Sequence, residues 1–184
     1  MIRKILTVPN DVLLQKSKPV KKITSDTHKL IQDLKDTLIA QSDPIGVGIS
    51  AVQIGVLQRI FLIRPDEDED ITVMINPQMT ILDEKVASEK KSPNKERKKK
   101  RKPLLEGCLS IPEVWGHVLR PEKVQVEYMD EKGDMHTQNY SDFASIVVQH
   151  EYDHLNGILF TQRTLEQGYS LFKEEEDEMV PYSL

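Results

Sequence analysis

The chain contains a single cysteine, Cys108, among 184 residues. No intrachain disulfide can form, which suits a reducing compartment, and the thiol is left to be a buried filler, a nucleophile or a metal ligand. The sequence also lacks any apolar run approaching the roughly 18 residues of a membrane span. Its opening, "MIRKILTVPNDVLLQKSKPV", reaches Pro9 and Asn10 before a hydrophobic segment develops, so no secretory signal is expected. No internal repeat is present. An overall positive charge is missing as well: the formal net charge is −5, which argues against a general nucleic-acid binder. Finally, no histidine follows His154.

What is present suits one globular domain with a real core: 38% hydrophobic and 30% charged residues over a length of ordinary domain size. The charge is unevenly spread. "SEKKSPNKERKKKRK" (Ser88–Lys102) holds nine Lys/Arg against two Glu, whereas "KEEEDE" (Lys173–Glu178) is acidic. The basic run has no apolar periodicity and reads as an exposed, flexible insertion loop at 88–102. The chain is expected to comprise a main domain over 1–165, the extent of the family resemblance given below, and an acidic C-terminal tail over 166–184.

Periodicity supplies the elements. "THKLIQDLKDTLIAQ" (Thr27–Gln41) places Leu30, Ile31, Leu34, Leu38 and Ile39 on one helical face. "QRIFLIR" (Gln58–Arg64) and "ITVMINP" (Ile71–Pro77) read as strands. "KVQVEYMDEKGDMHTQNY" alternates and then turns at Lys132-Gly133-Asp134, a hairpin signal. "SDFASIVVQHEYDHLNGILF" reads as a helix, with Ser141 or Asp142 as N-cap and Asn156-Gly157 as its stop. Strands followed by a helix indicate an α+β fold, with mainly antiparallel sheets packed around this C-terminal helix.

That helix carries His-Glu-x-x-His. His150 and His154 lie one turn apart on one side, a spacing that lets two imidazoles share a divalent ion. Glu151 stands where it could exchange protons with a water at that ion. The pattern also arises by chance on polar helix faces, so it needs a further ligand. "LLEGCLSIPEVWG" (Leu104–Gly116) offers Cys108, either a small buried hydrophobe or a thiolate ligand. One Cys and two His leave a fourth position open, as catalytic metal sites do. "GVGISAVQIG" (Gly46–Gly55) adds glycines that permit close backbone approach, and the Gln53 amide as an oxyanion donor.

Together, in this order, "GVGISAVQ", "EGCLS" and "QHEYDHLNG" resemble the three motifs of the peptide deformylase family. The likeness runs from about Met1 to Leu165, with Ser50 standing where the family pattern has Ala. The resemblance implies a peptide-deformylase-like fold and a cytoplasmic, bacterial-type or organellar hydrolase. Such an enzyme removes the N-formyl group from the initiator methionine of nascent chains and releases formate. It implies Cys108, His150 and His154 as metal ligands, Glu151 as proton carrier, and Gln53 with the Leu109 backbone N–H as oxyanion donors. Gly48 and Gly107 would admit substrate backbone, and Val47, Phe143, Ile146 and Val147 would wall a methionine pocket. Ferrous iron is the expected ion, with Zn²⁺, Ni²⁺ and Co²⁺ as alternatives. An Asp153–Arg120 pair is expected behind the ligands.

Two rivals remain at this level. A zinc endopeptidase could use the same HExxH, but its third ligand would have to be Glu166 or one of Glu174–Glu176. A non-catalytic protein could use the basic run to meet RNA; in a deformylase the run at 90–102 would instead touch the ribosome. No membrane or DNA partner is expected.

Overall fold

A computed structural model describes residues 1–66, 68–86, 103–175 and 178–182. The element order is α1 (Ser25–Ile39), β1 (Gly48–Ser50), β2 (Ile60–Ile63), β3 (Thr72–Val86), β4 (Leu105–Cys108), β5 (Ile111–His117), β6 (Pro121–Met129) and β7 (Met135–Ser141). Then follow α2 (Asp142–Leu155), α3 (Phe160–Glu166), β8 (Leu171–Glu175) and β9 (Glu178–Tyr182). Five strands form one antiparallel sheet in the order β1-β2-β3-β6-β7, and four form another in the order β4-β5-β8-β9. The expected α+β class holds, and the HExxH helix α2 packs on the larger sheet through β6, β1, β2 and β7.

The two-residue alternation of β2 explains how that sheet holds helices on both faces. Ile60 and Leu62 enter a core with Leu30, Ile31, Leu34 and Leu38 of α1. Phe61 and Ile63 point the other way, into a core with Val147, Val148 and Leu155 of α2. A third core joins Val114 and Ile111 of β5 to Phe160 of α3 and Leu171 of β8. The site therefore lies on a helix packed against a sheet whose strands β1 and β2 are buried on both faces.

Local chemistry accounts for the boundaries. Helix α1 begins two residues earlier than its periodicity suggests, because Thr24 and Thr27 form a capping box. Strand β3 runs on through Pro77, where a proline should interrupt pairing. A register shift between Ile75 and Gln78, with Asn76 at φ 52°, takes Pro77 out of the ladder. The β6–β7 hairpin turns at Asp130–Asp134, with Gly133 at φ 94° and Asp130 Oδ1 accepting from the Lys132 and Asp134 N–H groups. Ser141 takes the N-cap position of α2, but its side chain makes no capping hydrogen bond.

The 166–184 segment, set apart in sequence by its acidity, includes β8 and β9, and β8 pairs with β5. The basic run 88–102 lies outside the described residues. Among the described residues no helix is long and apolar enough to cross a membrane.

Gly157 ends α2 at φ 72°, and a Cβ there would fall 2.3 Å from the Leu14 carbonyl oxygen. Gly157→Ala therefore combines left-handed strain with a backbone clash, and is expected to destabilise the fold by more than about 1–2 kcal/mol in denaturant unfolding.

Candidate active site

Strand β4 and the turn that follows place the thiol. Cys108 pairs with Ile111 across Leu109 and Ser110, so Leu109 sits at the tip of a tight turn. The Cys108 sulfur accepts from the Ser110 N–H at 3.4 Å and from Gln53 Nε2 at 3.7 Å. Gln53 reaches it from the 3-10 turn Ala51–Ile54 that follows β1.

Helix α2 brings the imidazoles. The His150 and His154 rings are 5.0 Å apart, and His154 Nε2 stands 3.2 Å from Cys108 Sγ. One ligand atom from each of Cys108, His150 and His154 lies within 4.8 Å of the others. One soft sulfur and two imidazole nitrogens make a donor set for a divalent transition metal, not for calcium or magnesium. Among the described residues this trio forms the metal-capable group; Glu166 and Glu174 are not part of it.

The electrostatics differ sharply between the two histidines. Burial works against a charged His150, yet hydrogen bonds to Cys108 and Glu106 hold its pKa well above the ordinary value. His154 is driven well below it, by burial first and then by the His150 and Arg120 charges. A neutral His154 presents a free lone pair. Glu151, on the next face of the helix, is buried, and burial raises its pKa to about 7 against the opposing pull of His150, a Ser50 hydrogen bond and Arg120. Its Oε2 has no protein partner. Space for this carboxyl comes from Gly48, where a Cβ would sit 2.6 Å from Glu151 Oε1. Gly107 is needed for a different neighbour, since a Cβ there would meet the Trp115 ring at 2.8 Å.

Behind the ligands runs a buried chain of charges. Glu106 accepts from His150 Nδ1 at 3.1 Å and takes both Arg120 Nε (2.6 Å) and Nη2 (2.9 Å) in a forked bond. Arg120 Nη1 donates to Asp153 Oδ2 at 2.9 Å, the pair expected from the sequence. Asp153 is held in turn by Arg163 of α3 at 2.8 Å and 3.2 Å. The Glu106 and Arg163 contributions were not anticipated. Glu106 carried a readable signal: it is a charged residue in an otherwise apolar stretch, two positions before the thiol. Arg163 carried none.

A cleft of about 660 Å³ opens in front of these groups. Val47, Gly48, Gln53, Gly107, Cys108 and Leu109 line it from the strand side. From α2 come Phe143, Ile146 and Val147 together with His150 and Glu151, while His154 is buried behind them. Ile146 and Val147 are buried, and Phe143 is half exposed at the mouth.

Comparison with known proteins gives an independent result. The family model described as polypeptide deformylase matches residues 2–168. A peptide deformylase of Pseudothermotoga lettingae is 40% identical over 160 residues, covering 87% of this chain and 81% of its own. The crystal structure of a peptide deformylase from Legionella pneumophila superposes with a TM-score of 0.74 at 33% identity, covering 89% of this chain and 86% of that one. A Met-Ala-Ser-bound peptide deformylase from Acinetobacter baumannii has a TM-score of 0.74 at 28% identity, covering 89% and 98%.

Arg120→Ala strips the buried Glu106 of its guanidinium partner and leaves Asp153 to Arg163 alone, and is expected to cost about 3–5 kcal/mol in denaturant unfolding. Glu106→Gln keeps the shape but weakens the hold on His150 Nδ1. Chelator competition should read a metal affinity about 10–100-fold lower.

Proposed function

The chain belongs to the polypeptide deformylase family, a family of hydrolases that take the N-formyl group from the terminal methionine of new polypeptides; this is its function, and we propose how its own residues divide that work. The observation that carries the assignment is the convergence of Cys108, His150 and His154 beside the buried Glu151 carboxyl, whose Oε2 has no protein partner. The three ligands would hold one divalent ion, which when bound supplies a Lewis acid that acidifies water and polarises the formyl oxygen.

The chain's groups do the rest. Glu151 takes a proton from the attacking water and delivers it to the departing amine, as the carbon–nitrogen bond of the formamide breaks and formate leaves. A carboxyl poised near neutrality can do both. Negative charge grows on the formyl oxygen during attack, and the Gln53 amide and Leu109 N–H are the donors assigned to it; losing one such donor typically costs about 2.7–4 kcal/mol of barrier. The methionine side chain enters the apolar end of the cleft, between Val47 and the Phe143, Ile146 and Val147 face of α2. Formylated peptides such as formyl-Met-Ala-Ser fit an open cleft of this kind, and the Met-Ala-Ser complex of the Acinetobacter relative supports that reading.

Ferrous iron is the ion we assign, with Zn²⁺, Ni²⁺ and Co²⁺ compatible with the same donors. The cytoplasm, where nascent chains emerge, is the site of action this substrate requires. The basic run at 90–102 suits phosphate contacts on the ribosome, and such binding would weaken steeply with salt.

Anaerobically purified protein is expected to release formate from formyl-Met-Ala-Ser and to leave an internal peptide bond uncut. Glu151→Gln should retain the metal and lose at least about two orders of magnitude in kcat. Peptide cleavage without formate would instead favour an endopeptidase.

A further inference from the structure

Ser50 is fully buried at the end of β1, where the motif resembled by this chain has alanine. A buried hydroxyl is costly unless bonded, and this one is bonded to a group of the site. Its Oγ donates to Gln53 Oε1 at 3.0 Å, and its backbone N–H donates to the same oxygen at 2.8 Å. Two donors on one oxygen fix which end of the Gln53 amide is carbonyl. Nε2 is thereby turned toward Cys108 Sγ (3.7 Å) and Ser110 Oγ (3.2 Å). Ser110 cannot impose that choice, because a hydroxyl donates or accepts equally well.

We propose that Ser50 is a positioning residue for deformylation, its hydroxyl locking the Gln53 amide with Nε2 facing the place where the formyl oxygen gains charge. The role rests on the assignment of Gln53 as oxyanion donor. A donor already oriented needs no reorganisation during attack, so its benefit falls on the chemical step and not on substrate binding. With alanine at position 50, Oε1 keeps only the backbone N–H, and the amide samples orientations in which Nε2 faces away.

The test is steady-state formate release from formyl-Met-Ala-Ser by metal-loaded parent, Ser50→Ala, Gln53→Ala and the double variant. Ser50→Ala is expected to lower kcat about three- to tenfold, the worth of one hydrogen bond, with KM unchanged. In the Gln53→Ala background it should lower kcat no further. Ser50→Cys, which keeps the volume but donates weakly, should behave like Ser50→Ala and guards against a packing defect in that variant. Parental kcat in Ser50→Ala, an equal loss in both backgrounds, a change confined to KM, or parental behaviour of Ser50→Cys would each overturn the role. A parent that releases no formate would overturn the deformylase reading itself, and an undiminished kcat in Gln53→Ala would remove the oxyanion assignment on which Ser50 depends.

Discussion

The site depends on one buried ion pair, the forked bond between Arg120 and Glu106. Glu106 belongs to the small sheet and lies two residues from Cys108, whereas His150 and His154 belong to the helix on the large sheet. Arg120, at the junction of β5 and β6, reaches Glu106 with one part of its guanidinium and Asp153 of α2 with another. Three metal-capable side chains from two layers are thus registered by a single cation. Buried ion pairs seldom add stability over a hydrophobic replacement of the same shape. Their value here is geometric: the planar fork accepts one arrangement of β4 against α2. Glu106 then passes that order to the Cys108, His150 and His154 group by accepting the His150 Nδ1–H, which leaves the other ring nitrogen free to take an ion.

Burial sets the chemistry of the remaining carboxyl. Glu151 and Glu106 are both buried near histidines, but their fates diverge. Glu106 sits in the Arg120 fork, which overcomes its burial and holds its pKa low, so it stays a permanent anion. Glu151 has no such cation in contact and is pushed up to about 7. Contact with the Arg120 guanidinium and the His150 ring thus separates two buried carboxyls that burial alone would push the same way.

Much of this was legible in the sequence, for a physical reason. HExxH is local chemistry on a regular helix, so spacing alone puts His150 and His154 together. Cys108 was readable because it is the only thiol. Helices α1 and α2 and the β6–β7 hairpin declared themselves by period and by Gly133, whereas the short helix α3 did not. Tertiary pairing was less visible. Arg163 gives no local sign that it will reach Asp153 from the next helix. The strands β8 and β9 were masked by acidic residues, since the apolar members of β8, Leu171 and Phe172, find their partners on β5, on β9 and in the core around Phe160. The continuation of β3 past Pro77 depended on a bulge that no propensity marks.

The most direct measurement is the X-ray absorption spectrum of the metal in anaerobically purified protein. One sulfur at about 2.3 Å and two imidazole nitrogens at about 2.0–2.1 Å are expected in the first coordination sphere. The sulfur signal should vanish in Cys108→Ser. A sphere of nitrogen and oxygen alone in the parent protein would contradict the placement of Cys108 among the ligands.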